Sequence, residues 1–324
     1  MKKNAPPTIE ALLKNLADPS QPISVAKLYA LSNLDKDDLA RVQSAWPTLS
    51  AERRSAVARH LVDIAESNFE VNFAPVFWLA LVDAESAVRQ AALDGLWEED
   101  DPVLIPTLVK MMQGDPSTEV RAAAASVLGH YVYLGEIEQI PANKIAPALS
   151  ALRAIIASAA EPRPVRCRAV EALSFSSADD VPGIIRQAYA SPDEAMRVSA
   201  VFAMGSSADE QWIDTVISEL EAQLPAMRYE AARAAGELEA RNAVPTLARL
   251  LDDPDAEVQG MAVWALGQIG GERAKKLLNE IAGGDDESLA EAAVEALEEM
   301  TWMHDSERDM PLFVFDPHAD EEDE

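Results

Sequence analysis

The chain has 324 residues, 48% of them hydrophobic, and carries 56 acidic against 27 basic side chains, a formal charge of −29. That balance argues against a polyanionic partner, because nucleic-acid affinity comes mostly from clustered Lys and Arg on phosphates. Cys167 is the only cysteine, so no internal disulfide is possible. No run reaches the ~18 apolar residues of a membrane helix. Met1-Lys2-Lys3 is followed by no apolar stretch of signal-peptide length, which makes the cytoplasm the expected location. An acidic surface also suits a soluble monomer.

The first helices can be taken in order. Residues 1–8 are polar and frayed in expectation, and Ile9–Leu16 is a short helix stopped by Asp18-Pro19. Val25–Leu34 is a second. Asp35 caps a third that reaches Trp46, and Ser50 caps a longer one from Ala51 to Ser67. Phe73 to Val82 is aromatic-rich. Residues 1–82 therefore read as a helical N-terminal cap with degenerate repeats, since a terminal repeat must face water on one side. Phe69, Phe73, Phe77 and Trp78 are expected to pack onto the first clear repeat.

From residue 83 one phrase recurs: Val88-Arg89, Val120-Arg121, Val165-Arg166, Met196-Arg197, Met227-Arg228, Val258-Gln259, Leu289-Ala290. Arg166, Arg197, Arg228, Gln259 and Ala290 stand 31 residues apart. Arg89 to Arg121 is 32 and Arg121 to Arg166 is 45, which leaves an insertion near 130–146. A fixed period in the range of roughly 20–50 residues marks a stacked repeat. Alanine follows the apolar leader at +4 every time: Ala92, Ala124, Ala169, Ala200, Ala231, Ala262, Ala293. Positions 0, +4, +5 and +8 form one stripe of a helix, and a small residue at +4 predicts a helix passing close by.

Turns precede these helices at Asp83-Ala84-Glu85, Asp115-Pro116-Ser117, Ser191-Pro192-Asp193 and Asp253-Pro254-Asp255, and these residues fit N-caps. Gly129, Gly205, Gly236 and Gly267 fit C-terminal punctuation. A second helix then opens around Pro106, Pro182 or Pro245. Neither helix of such a pair can bury its stripe alone, but stacked pairs can. The expected fold is all-α, a right-handed α-solenoid (superhelix) of stacked helical hairpins over 83–300. The insertion, with Tyr131, Tyr133, Leu134, Ile137 and Ile140, reads either as a loop that carries function or as a slightly longer helix with a packed loop. The periodicity stops after Met300, and 301–324 is expected to be an acidic, disordered tail. Within it Leu312, Phe313, Val314 and Phe315 either fold back on the last repeat or form a short partner-binding motif.

Asp253-Pro254-Asp255-Ala256-Glu257-Val258, with Ala262 and Ala265-Leu266-Gly267, resembles the short bacterial HEAT repeat, an armadillo-like helical unit also found in phycobilin-lyase-like proteins. Asp115 to Gly129 matches almost as well, and the resemblance covers about 83–300. Gln259, Ala290 and the insertion depart from the pattern. The resemblance implies that the Asp–Val–Arg helix lines a concave side, that the proline-led helix lies on the convex side, and that the function is protein binding.

The residues offer little chemistry. His60, His130, His304 and His318 have no metal-ligand spacing. Gly270-Gly271 and Gly283-Gly284 are turn glycines, and no nucleophile elbow is present. No catalytic residue, metal or cofactor is expected. Cys167, between Arg166 and Arg168, is the one thiol whose ionisation the neighbours could favour. A surface remains. Positions +2 and +6 lie opposite the core stripe. Across three repeats they place Phe202, Tyr229, Arg233 and Trp264 on the concave face, flanked by Glu230 and Met261. Aromatics with an arginine are the composition of interface hot spots. The expected function is a non-catalytic scaffold that binds a basic protein partner there. Two alternatives are a bilin lyase-like or tetrapyrrole-handling protein, and an acidic assembly factor or chaperone acting through the tail.

Overall fold

The computed structural model describes residues 8–309, with side chains described through Thr301. The described residues contain α-helices and short 3-10 turns and no strand. The chain divides into two compact units, Met1–Ala203 and Met204–Glu324.

The first unit opens with α1 (Ile9–Ala17), α2 (Val25–Leu28), α3 (Lys36–Ala45) and α4 (Ala51–Ser67). Hairpins follow: α5 (Ala74–Ala80) with α6 (Ser86–Asp94), α7 (Ile105–Gly114) with α8 (Thr118–Glu136), and α9 (Ala142–Ala157) with α10 (Arg163–Leu173). Then come α11 (Val181–Tyr189) and α12 (Glu194–Ser206), within which the division falls. Helices α4, α6, α8 and α10 pack side by side in succession, while behind them α3 packs on α5 and α7 on α9. The second unit holds α13 (Ile213–Glu219) with α14 (Pro225–Glu237), α15 (Val244–Leu250) with α16 (Ala256–Ile269), and α17 (Gly271–Ala282) with α18 (Glu287–Asp309). Here α14, α16 and α18 pack in succession, each closed by its hairpin partner.

The local signals explain the helix starts. Asp35 accepts the Asp38 amide at 2.8 Å and Ser50 accepts the Arg53 amide at 3.3 Å. These side chains satisfy first-turn N–H groups that have no partner inside the helix. The alanine column does what its size implies: Ala92, Ala124, Ala169, Ala200, Ala231, Ala262 and Ala293 are each 0% exposed. At +5, Val170, Val201 and Val263 are buried, whereas Val294 is 44% exposed. That column faces the next inner helix, and none follows α18 among the described residues.

The glycines are not punctuation. Gly129, Gly205, Gly236 and Gly267 lie inside α8, α12, α14 and α16. A Cβ on Gly205 would sit 2.7 Å from the Ala234 Cα, and one on Gly129 would sit 3.1 Å from the Ala172 Cα. The column is glycine because the neighbouring backbone crosses there. The left-handed conformation falls instead on Ala208 (φ 51°) and Glu239 (φ 47°), just past α12 and α14. Ala208→Gly should therefore raise the stability of the second unit by ~0.5–1 kcal/mol, because the side chain costs more there than glycine's extra freedom. Urea titration of the two proteins checks this, and a lower midpoint for the variant would refute it.

The leading aspartates of the turns also do more than cap. Asp115 receives a two-pronged bond from Arg89 of the previous inner helix, Nε and Nη2 each at 2.7 Å, while accepting the Ser117 amide. Asp253 takes the same fork from Arg228 at 2.6 and 2.7 Å. Asp83 takes it from Arg54 at 2.7 and 3.0 Å, with the Trp46 indole as a further donor. The remaining Nη1 of Arg89 and of Arg228 binds carbonyls of its own preceding turn. One guanidinium thus ties two successive turns. Gln259, which replaces arginine, reaches only its own turn, at the Asp253 carbonyl.

The insertion is absorbed by longer helices. α8 and α9 are extended, and Tyr131, Leu134, Ile140 and Ile145 join the core. Among the N-terminal aromatics, Phe73 and Phe77 are buried and meet edge to face, but Phe69 is 93% exposed in the loop after α4. α18 continues to Asp309, past the end of the sequence periodicity. Leu312, Phe313, Val314 and Phe315 lie outside the described residues. No described helix is long and apolar enough to cross a membrane.

Candidate functional site

Of the six residues expected at the binding face, five are carried by α14 and α16 and one, Phe202, by α12. Phe202, Tyr229, Glu230, Arg233, Met261 and Trp264 are all half-buried. None of the six is fully exposed. Phe202 belongs to the first unit, and the other five belong to the second.

Within the second unit the geometry is specific. Arg233 donates Nε to Glu230 at 2.8 Å and Nη1 to Glu237, so α14 carries a three-membered ion-pair row. Burial pushes the Glu237 carboxyl up, against the pull of Arg233 and Ser206. Burial likewise raises the Tyr229 phenol, with the Glu230 charge adding to it. The Trp264 ring lies on Gly236: a Cβ there would be 2.7 Å from the ring's Cζ3. Trp264 thus fills the space that glycine leaves on α14, and part of its surface remains exposed.

Cys167 is buried, and burial pushes its thiol up rather than down. The neighbouring Arg168 acts weakly on it and donates instead to Glu171 at 2.5 Å. A favoured thiolate does not follow from the flanking arginines. Among the described residues no group of three His, Cys, Asp or Glu is placed to hold a metal.

The inner helices of the first unit carry a feature of their own that a reading of the aromatics in later repeats missed. Gln90, Asp94, Trp97, Glu119, Ala122, Ser126, His130 and Arg168 line a groove of about 710 Å³ over α6, α8 and α10. Gln90, Asp94, Ala122 and Ser126 are the +2 and +6 positions of their repeats. Trp97, 60% exposed, lies one residue past the stripe, where the period alone gives it no partner.

Successive helical hairpins with a shared alanine column and an inner helix face define an α-helical repeat scaffold. The chain belongs to the HEAT-repeat family: the HEAT repeats model matches residues 74–174 and 213–298. That model does not distinguish the phycobilin-lyase type. No curated protein matches the chain. Among solved structures, yeast importin-beta is similar at 14% identity with a TM-score of 0.50, over 90% of this chain and 46% of that one. Human deoxyhypusine hydroxylase is similar at 18% identity, TM-score 0.36, over 91% and 96% of the two chains. A designed armadillo repeat protein is similar at 21% identity, TM-score 0.37, over 60% and 99%. At 14% identity the likeness to importin-beta is one of fold alone.

Proposed function

We propose that the protein is a non-catalytic scaffold that binds another protein along the inner helices of its repeats. One observation carries this reading. Tyr229, Arg233, Met261 and Trp264 keep part of their surface open, while the core alanines of the same helices, Ala231 and Ala262, are completely covered. Partly exposed aromatic side chains with an arginine are the composition of interface hot spots. The charge of −29 favours a basic partner and speeds its approach.

The test compares capture from the native lysate by the full-length protein, by Phe202→Ala/Trp264→Ala, and by Tyr229→Ala/Arg233→Ala. Circular dichroism melts verify folding, since Trp264 also packs on Gly236. Loss of about tenfold or more of one enriched protein is expected in a folded double variant. Unchanged capture by both folded variants would remove the face from consideration.

A further inference from the structure

We propose that the groove over α6, α8 and α10 receives an arginine side chain from an extended segment of a protein partner, between Trp97 and Asp94. This proposal rests on the reading of the inner helices as a protein-binding face.

The charges lining the groove are unevenly matched. Its two basic groups are already engaged: His130 pairs with Asp100 at 2.8 Å and Arg168 with Glu171 at 2.5 Å. Glu119 accepts the Ser117 hydroxyl at 2.7 Å and a backbone amide, and pairs with no cation among the described residues. Asp94 has no cation within ion-pair distance among the described residues, and its one donor is the Gln90 amide at 3.2 Å. Crowding by the surrounding protein, followed by the Glu66 charge, holds Asp94 above the ordinary carboxylate range. The Gln90 carbonyl oxygen is buried and accepts nothing. The site is therefore rich in acceptors and short of donors.

The complementary group is a cation with several N–H donors. Guanidinium fits better than ammonium for two reasons. Its planar fork can serve Asp94 and the Gln90 oxygen together once the Gln90 amide turns. It also stacks on an indole, and Trp97 is the exposed ring at the same groove. Leu93, Ala122, Ala123 and Val127 give the floor an apolar character suited to aliphatic side chains beside the arginine. The volume lies within the roughly 300–1,000 Å³ typical of binding clefts. An acidic segment, including this chain's own acidic end, would meet like charge here.

The experiment is fluorescence anisotropy with full-length protein near physiological salt. The probe is a short fluorescein-labelled peptide with one arginine flanked by leucines. A second peptide carries citrulline, the neutral isostere of arginine. Saturable binding of the arginine peptide is expected, weakened about tenfold by citrulline and by Asp94→Asn, and about threefold or more by Trp97→Ala. Glu272→Gln/Glu280→Gln, at exposed sites on α17, controls for diffuse attraction and should leave binding unchanged. Equal binding of the two peptides, unchanged binding in Asp94→Asn, or an equal loss in the α17 control would each overturn the proposal. No binding of the arginine peptide would overturn it as well. If lysate capture by the wild type still depends on Phe202 and Trp264, the scaffold reading stands while the groove falls.

Discussion

Arg228→Ala is expected to destabilise the second unit by about 3–5 kcal/mol, because it strands a buried carboxylate. The Arg228 and Asp253 side chains are 11% and 4% exposed, so water cannot replace the lost partner. The arginine also leaves the Ala222 and Gln223 carbonyls without their donor. Arg249→Ala is the matched control. Its pair with Glu221 has side chains 60% and 66% exposed, and its removal should cost under about 1 kcal/mol. Urea titrations of the three proteins measure the difference; equal losses in the two variants would refute the distinction.

The same rung predicts a pH dependence. The Arg228 fork, aided by the Asp255 amide and opposed by burial, holds Asp253 below the ordinary carboxylate range. At Asp83 and Asp115 burial pushes upward, but the arginine forks and turn amides together outweigh it. A carboxyl depressed in the folded state contributes stability that is present above its unfolded pKa of about 3.9 and lost as pH falls through the folded value. Wild-type stability should therefore drop below about pH 4. In Arg228→Ala, the stranded Asp253 should titrate higher than in the unfolded chain. Acidification from about pH 6 to 4 should then partly relieve its penalty.

The second large effect is a pair of identical substitutions with opposite sign. Gly205→Ala places a methyl group 2.7 Å from the Ala234 Cα and 2.8 Å from its Cβ. Backbone atoms cannot rotate away, so the chain at Gly205 and at Ala234 must separate locally, at a cost of about 1–3 kcal/mol or more. Gly260→Ala, inside α16, meets nothing within 4 Å. It should gain ~0.5–1 kcal/mol, since alanine loses less backbone freedom in a helix. Thermal melts would read both, and a shift in the same direction would refute the account of the glycine column.

The sequence alone determined the repeat. The 31-residue spacing, the alanine at +4 and the caps at Asp35 and Ser50 are local or periodic signals, and each helix buries the stripe its own residues define. It also determined the net charge of −29. Other features depended on what one repeat presents to the next. Gly205 and Gly236 look like helix ends in one dimension and become crossing points once a second helix lies over them. Asp83, Asp115 and Asp253 look like caps and become anchors for arginines that stand 25 to 29 residues earlier. Arg54 makes the first such rung in a region where the consensus had faded, and only its pairing with Asp83 reveals it. Trp97, one position off the stripe, joins Asp94 in a groove because α8 and α10 supply the opposite wall. A period records which face of a helix is apolar. The crossing of adjacent helices decides which residues on that face meet, and that geometry is set by packing across the whole stack.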